Sequence, residues 1–435
     1  MAVSRFLRFK PSKSPAEIDR VLRYLIRHAR RNVEGYRCVL DEAGASPANI
    51  HGVDDLSRLP IVSKETLFRR VPLRHTLHRL ANPSRCVRVG TSGSTGLPLN
   101  VFMSRGEALY RRLLVFRSWQ RLSSFRFPLS VADVGSWVED EAPMSIQHRG
   151  VLTVVRVSIA LPVERQIELL RRHRPQIISG YPTALSILAE APQGSSDLSS
   201  LRLVATRGEV LSEETRKTLE ASFGCRVADY YNCEEIGNIA WECPKDSKVL
   251  HINTDGCVVE IVDSCGHPVR DGEEGRVIVT NLYNCTMPFI RYDLGDQGVM
   301  ISSRRDRCAC GSRHPRMAVL SGRDDDYVYL PDQRKVSPRL VATAVNRAFS
   351  GESPLGGFDR HFRRFQVVQD ALDHLTIRIV PEAERLSDFH EVIAPALRRL
   401  HPGLHCSIEV VDDLPLEPSG KFKKVISSIR RPDTS

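Results

Sequence analysis

Residues 89–101 read Val-Gly-Thr-Ser-Gly-Ser-Thr-Gly-Leu-Pro-Leu-Asn-Val. Gly90, Gly93 and Gly96 let the backbone turn and approach a ligand closely. Thr91, Ser92, Ser94 and Thr95 place hydroxyl donors between them. Turned backbone N–H groups form an anion nest, and the hydroxyls add further donors, a combination that suits phosphate. The loop is not a Walker A motif, because no Gly-Lys pair closes it. A flexible Gly/Ser connector remains the alternative.

Four further groups carry usable charge. Glu234 and Glu235 form an acidic pair just after a strand-like run. A carboxylate there can hold Mg²⁺, a hard ion that takes oxygen ligands and stays on substrate phosphates. A solvated acidic turn is the plain alternative. Asp296 ends the run Arg291-Tyr-Asp-Leu-Gly-Asp296 and can accept from ribose hydroxyls, or be an ordinary turn aspartate. Arg291 and Arg323 can neutralise phosphate or fix a hinge, or be surface ion-pair residues. Lys421 follows Ser419 and Gly420 in a polar loop, as a mobile ammonium or as part of a basic tail with Lys423 and Lys424.

Taken in order, these blocks resemble the adenylate-forming superfamily of acyl- and aryl-CoA ligases. The nearer resemblance is to its phenylacetate–CoA ligase, coenzyme F390 synthetase and capsule-biosynthesis branch. Thr91 to Pro98 resembles the family's phosphate loop, and Tyr230-Tyr-Asn-Cys-Glu-Glu-Ile-Gly237 the block with the magnesium glutamate, here Glu235. Met287-Pro-Phe-Ile-Arg-Tyr-Asp-Leu-Gly-Asp296 resembles the ribose block, Gly322-Arg323-x-Asp325 the hinge, and Leu416 to Lys421 the catalytic-lysine block. The resemblance spans residues 50–425. It implies that Lys421, Glu235 and Arg323 are catalytic and that Thr91 to Gly96, Arg291 and Asp296 bind nucleotide. Gly208 and Glu209 are implied at the adenine side, with Tyr230 and Tyr231 available to stack on the base. Gly180 and Tyr181 are implied at the acyl pocket. One departure stands out: the family carries Ser or Thr before the metal glutamate, and this chain carries Glu234.

A second constellation is Cys243, His251, Cys308 and Cys310. Three thiolates and an imidazole match a closed tetrahedral zinc site. The Cys-x-Cys step is tighter than the usual Cys-x2-Cys, so unrelated side chains remain an alternative. Some members of the resembled branch carry such a site. Cys265 and His267 are the nearest competing ligands. A redox pair at 308 and 310 fits less well, since nothing places it at a helix start.

The elements around these groups follow from periodicity. Ile18, Leu22, Leu25 and Ile26 predict a helix over 16–45, followed by a loop over 46–64. A basic helix is predicted over 105–122. Strands are predicted at 129–134, 151–157, 176–179, 203–206 and 226–230, with helices at 164–172, 183–191 and 212–223. This alternation implies βαβ units and a mostly parallel sheet. After residue 250 the texture becomes an antiparallel meander, with strands at 257–262 and 275–280. Beyond Gly322 come a helix at 338–349, a hairpin at 364–381, a helix at 388–400 and a strand at 406–411. The expected class is α/β: a large N-terminal domain over 1–321 with parallel and antiparallel sheets, and a small mobile α+β domain over 322–435.

Composition sets the outer limits. The 435 residues include 62 Lys+Arg and 52 Asp+Glu, for a net charge of +10, with 41% hydrophobic and 26% charged residues. That excludes a disordered, collagenous or coiled-coil chain. The basic residues are dispersed, which argues against nucleic acid as a partner. The 11 cysteines are scattered and odd in number, as reduced thiols in a cytoplasmic protein would be. No apolar run suggests a membrane segment. A homodimer is compatible with the sequence.

The expected function is ATP-dependent activation of a carboxylic acid, aryl or arylacetic by default, to an acyl-adenylate. Coenzyme A is the default acceptor. Alternatives are a ligase that passes the acyl group to an amine or another nucleophile, and a non-catalytic nucleotide or nucleic-acid binder.

Overall fold

The computed structural model describes residues 13–63, 66, 73–90, 99–123, 125, 127–135, 137, 145–148, 152–191, 198–209, 211, 213–303, 306–319, 328–336, 338–348, 362–381, 389–414 and 424–429. In chain order these form α1 (Pro15–Asn32), α2 (Glu34–Glu42), β1 (Val87–Gly90), β2 (Asn100–Met103), α3 (Arg105–Leu122), β3 (Leu129–Gly135), β4 (Ser145–His148) and β5 (Leu152–Ser158). Next are α4 (Val163–His173), β6 (Ile177–Gly180), α5 (Pro182–Glu190), β7 (Leu203–Arg207), α6 (Glu213–Phe223), β8 (Arg226–Cys233), β9 (Gly237–Cys243) and β10 (Asp246–Ile252). Then follow β11 (Cys257–Val262), β12 (Glu274–Asn281), β13 (Tyr292–Ser302), β14 (Arg316–Val319), β15 (Val328–Tyr329) and β16 (Lys335–Val336). The chain closes with α7 (Pro338–Ala348), β17 (Phe362–Ala371), β18 (His374–Pro381), α8 (Phe389–Arg398), β19 (His405–Val410) and β20 (Val425–Ser427). Two compact units result: one from residues up to 90, 100–124 and 228–321, the other from 125–227 and 322–435.

In the first unit, strands run in the order β11-β12-β13-β14-β10-β9-β8. The pairings among them are antiparallel, and β1 and β2 form a separate hairpin. Helix α3 starts on a capping box, with Ser104 and Glu107 each bonding the other's backbone N–H. The Glu107 carboxylate also accepts from Cys285 N at 2.7 Å, Thr286 N at 3.1 Å and Thr286 Oγ1 at 2.6 Å. One side chain thereby starts a helix and pins the segment that leads into Met287–Asp296.

In the second unit, the order β7-β6-β3-β5-β4 is parallel except for β4. One face of these strands carries Ala132, Val134, Val155, Val157, Ile178 and Val204, packed with apolar residues of α4, α5 and α6. The C-terminal part builds a four-stranded sheet, β19-β18-β17-β20, whose core joins Phe365, Val367, Ile377 and Ile379 to Val341, Val345, Ile393 and Leu397 of α7 and α8. The fold is thus α/β with mixed sheets and a distinct C-terminal α+β module.

Most elements lie within two residues of the predicted ones. The helix over 16–45 is instead two helices, split at Val33, where φ −123° and ψ 109° are extended. Val33 is a β-branched residue, at ease in that conformation, and it is buried. The loop over 46–64 contains 3₁₀ turns at Pro47–Asn49 and Val53–Arg58. Strands β1, β2, β4, β9, β10, β13, β14, β15, β16 and β20 were not predicted.

Candidate active site

The phosphate-loop candidates Thr91, Ser92, Gly93, Ser94, Thr95 and Gly96 lie outside the described residues, as do Arg323 and Lys421. The remaining candidates are placed.

Glu234 and Glu235 occupy the hairpin between β8 and β9, closed by the pairing of Cys233 with Gly237. Gly237 has φ +89°, and a Cβ there would stand 2.8 Å from the Tyr283 hydroxyl and 3.2 Å from Arg111 Nε. Only glycine fits this turn without displacing a neighbour. Arg111 of α3 donates to the Glu234 carbonyl at 2.6 Å and to the Glu234 carboxylate at 2.7 Å. The two glutamates therefore differ. Glu234 is held by a guanidinium, while Glu235 is 6% exposed and accepts a hydrogen bond from the Tyr292 hydroxyl at 3.3 Å. Burial, and then the Glu235 carboxylate beside it, push the Tyr292 phenol well up, so it stays a donor at neutral pH. The acid in place of the resembled family's hydroxyl residue has thus acquired its own cation.

Asp296 lies on β13, and its carboxylate accepts from the Tyr231 hydroxyl at 2.8 Å. Burial, with Asp296 adding to it, raises the Tyr231 phenol well above its ordinary value. Two tyrosine–carboxylate bonds, Tyr292–Glu235 and Tyr231–Asp296, thus tie β8 and its hairpin to β13. Tyr230 faces the other way, as alternation along a strand requires, and is 5% exposed. It is a core residue, which corrects the expectation that it stacks on a base. Tyr231 is half-buried.

Arg291 also departs from expectation. It is 2% exposed, has φ +45°, and ion-pairs with Glu260 at 3.1 Å. Its guanidinium donates to the carbonyls of Leu59 at 2.6 Å and Gly266 at 2.9 Å. Those donors lock the β11 region to the segment before Val62, so Arg291 is an internal brace and not a phosphate ligand.

In the second unit, Gly180 ends β6 and Tyr181 is the N-cap of α5. A Cβ on Gly180 would lie 3.1 Å from Val134 Cβ and from Leu185 Cδ2, so this glycine lets strand and helix pack. Tyr181 is buried and its ring faces the Arg207 guanidinium at 5.2 Å. Gly208, at φ +75°, is exposed just after β7, and Glu209 beside it is half-buried. All four lie at the C-terminal ends of parallel strands, where open α/β sheets bind ligands.

The Cys/His constellation converges. Cys243 ends β9, His251 lies on β10, and Cys308 and Cys310 occupy a turn closed by Cys308 N to Ser312 O and Gly311 N to Cys308 O, each 2.8 Å. All four ligand atoms lie within 4.8 Å of one another. Cys243 Sγ and Cys308 Sγ are 3.8 Å apart, and His251 Nε2 and Cys310 Sγ 3.2 Å. Tetrahedral zinc, with bonds of about 2.3 Å to sulfur and 2.0–2.1 Å to nitrogen, spaces its ligand atoms by roughly 3.5–3.8 Å. The residues present therefore fit the ion. Burial pushes the His251 imidazole down to about 4, leaving it neutral, the form that ligates. Cys265 is exposed and, with His267, stands outside the cluster.

Comparison with known proteins places this geometry. Residues 62–286 match the family model described as AMP-binding enzyme, just over half of the chain. The chain belongs to the AMP-binding enzyme family. A second match, to the CapK C-terminal domain, covers residues 338–428. The first takes in the Gly/Ser/Thr loop and Glu235, and the second takes in Lys421. This AMP-binding enzyme is similar to a phenylacetate-coenzyme A ligase of Thermus thermophilus, 28% identical over 71% of this chain and 70% of that one. It is equally similar, at 28% over 94% and 93%, to a phenylacetate-coenzyme A ligase of Aromatoleum evansii. In fold it resembles the crystal structure of 2-hydroxyisobutyryl-CoA ligase in the postadenylation state, with TM-score 0.62, 19% identity, and coverage of 98% and 92%. Among the described residues no helix is long and apolar enough to cross a membrane.

Sequence reasoning missed Arg111, Tyr292 and Glu107. Each acts on a segment more than 50 residues away, and no local pattern announces such a contact.

Proposed function

We propose that this AMP-binding enzyme is an AMP-forming acid–CoA ligase. An oxygen of the substrate carboxylate bonds to the α-phosphorus of ATP, and pyrophosphate leaves. The thiol of coenzyme A then attacks the acyl carbon, and AMP leaves with the electron pair of the broken bond. The carrying observation is that one chain matches both an AMP-binding family model and a CapK C-terminal model. The names of its phenylacetate-coenzyme A ligase relatives support an aryl or arylacetic acid and coenzyme A.

The chain's own residues divide the work. Thr91 to Gly96 cradle phosphate, Asp296 accepts from ribose hydroxyls, and Gly208 and Glu209 border the adenine. Glu235 would hold Mg²⁺, which when bound neutralises phosphate charge. Its buried carboxylate, oriented by Tyr292, fits a hard cation. Lys421 neutralises the charge that gathers where acid oxygen meets the α-phosphate. The C-terminal domain, residues 322–435, rotates about Arg323–Asp325 between the two steps to admit the acceptor. Cys243, His251, Cys308 and Cys310 would hold a structural zinc that ties β9 and β10 to the turn before β14. Thiolate ligation of that kind belongs in the reducing cytoplasm.

The test is a panel of carboxylic acids scored for pyrophosphate release, with and without coenzyme A. Acid-dependent release followed by a thioester is expected. Release of AMP without a thioester, on addition of amines instead, would replace coenzyme A as acceptor. No release with any acid would overturn the proposal.

A further inference from the structure

The face of the parallel strands opposite α4, α5 and α6 changes character toward its C-terminal end. Side chains alternate along a strand, so Asp133, Arg156, Ser179 and Arg207 share that face while Val134, Val157, Ile178 and Val204 point to the helices. Register brings three of them level, since Asp133 pairs with both Arg156 and Ser179, and Arg207 stands two residues beyond Ala205, the partner of Ser179.

Arg207 donates to the Asp133 carboxylate, and its Nε donates to Ser179 Oγ at 3.1 Å. The pair is reachable, with Arg207 18% and Asp133 25% exposed at the side chain. Two aromatic rings neighbour it, Tyr181 from within the core shared with α4, α5 and α6 and Trp137 beside the strand end. Tyr181 faces the Arg207 guanidinium at 5.2 Å, and Trp137 donates from Nε1 to the Asp133 carbonyl at 2.8 Å. The Arg156 guanidinium stacks over the Trp137 ring at 4.4 Å. Gly135 lets the Trp137 and Arg207 side chains approach the strand: a Cβ there would stand 3.3 Å from Trp137 Nε1 and 3.8 Å from an Arg207 nitrogen.

We propose that this end of the sheet selects an aromatic acid bearing a hydroxyl group, with the ring set against Trp137 and the hydroxyl read by the Arg207–Asp133 pair. This deepens, and rests on, the acid-activating function proposed above. The charge arithmetic chooses the substituent. A second carboxylate approaching the pair meets Asp133, and an ammonium meets Arg207. A hydroxyl satisfies both, because it accepts from the guanidinium and donates to the carboxylate. A phenol, with an ordinary pKa of about 10, is still protonated at neutral pH and can do this. An unsubstituted ring would cover the ion pair and return no hydrogen bond, which sites of this kind reject.

The test compares matched pairs on the wild-type protein: benzoate with each hydroxybenzoate, and phenylacetate with each hydroxyphenylacetate. Pyrophosphate release is scored as kcat/KM, with benzenedicarboxylates and aminobenzoates as the charged and amine controls. At least one hydroxylated acid should exceed its parent by roughly ten- to a hundredfold, the worth of a charge-assisted hydrogen bond. The double variant Asp133→Leu/Arg207→Met should erase that gap. Acids activated with the parent preferred, or a gap that survives the double variant, overturns this inference alone. No acid activated at all overturns it together with the ligase function. The wild-type comparison decides even where the variant does not fold.

Discussion

Replacing Arg111 with Met tests how the Glu234–Glu235 hairpin, the proposed Mg²⁺ site, is held. The substitution keeps the stem that packs in α3 and removes two charged hydrogen bonds, to the Glu234 carbonyl at 2.6 Å and to its carboxylate at 2.7 Å. A hydrogen bond to a charged group contributes about 1.5–3 kcal/mol. The carboxylate bond falls toward about 1 kcal/mol or less, because Glu234 is 30% exposed and solvent screens it. The carbonyl bond keeps most of its value, since Arg111 is only 17% exposed. The sum is roughly 2–4 kcal/mol in favour of the observed hairpin. If about half of that difference sets the position of Glu235, acid-dependent pyrophosphate release falls on the order of tenfold, with a weaker apparent Mg²⁺ affinity. Glu234→Gln keeps the carbonyl bond and an acceptor oxygen, so it should retain most activity. The readouts are steady-state pyrophosphate release across a Mg²⁺ titration and a thermal melt. A folded Arg111→Met protein with normal rates and normal Mg²⁺ dependence refutes the reasoning. So does Glu234→Gln failing as badly as Arg111→Met, which would make Glu234 itself a ligand.

Three other outcomes follow from the same structure. Arg291→Met strands the buried Glu260 carboxylate, so stability should drop by about 3–5 kcal/mol, seen in denaturant melts; a stable variant defective only in ATP binding would restore the phosphate role. Protein purified without a metal-affinity tag should carry about one zinc per chain by elemental analysis and lose it in Cys308→Ser/Cys310→Ser; zinc retained by that variant locates the metal elsewhere. Lys421→Ala should lose most acid-dependent pyrophosphate release yet convert a supplied acyl-adenylate to thioester at a near-normal rate; equal loss in both steps argues against domain alternation.

The sequence was most legible where one period dominates. Helix α3 appears over 105–122 as predicted from its basic helical pattern, and the structure adds the Ser104–Glu107 capping box at its start. Strand β11 appears over 257–262 as an apolar run interrupted by Glu260 alone. Strand β9 was invisible for the opposite reason. Its Asn238 and Glu242 look like loop residues, yet both are buried and bonded: Asn238 donates to Ser118 Oγ, and Glu242 accepts from Asp229 N. Strand β13 hid behind Asp293, Gly295, Asp296 and Gly298, residues that usually mark turns.

The candidate site divides along the same line. Residue type and order were enough to nominate Glu235, Asp296 and the Cys/His set, because hard oxygen ligands and tetrahedral sulfur–nitrogen sets restrict which side chains qualify. Partners were not legible. The Arg291 motif position suggested phosphate, but its guanidinium is consumed by Glu260 and by carbonyls more than 200 residues back in the chain. The reverse holds for Arg111, an unremarkable residue in a basic helix whose two bonds distinguish two adjacent glutamates. An acidic pair in isolation would share any nearby cation and keep both carboxylates equivalent. The structure breaks that symmetry by giving Glu234 a guanidinium and Glu235 a phenol, and a phenol orients a carboxylate without cancelling its charge.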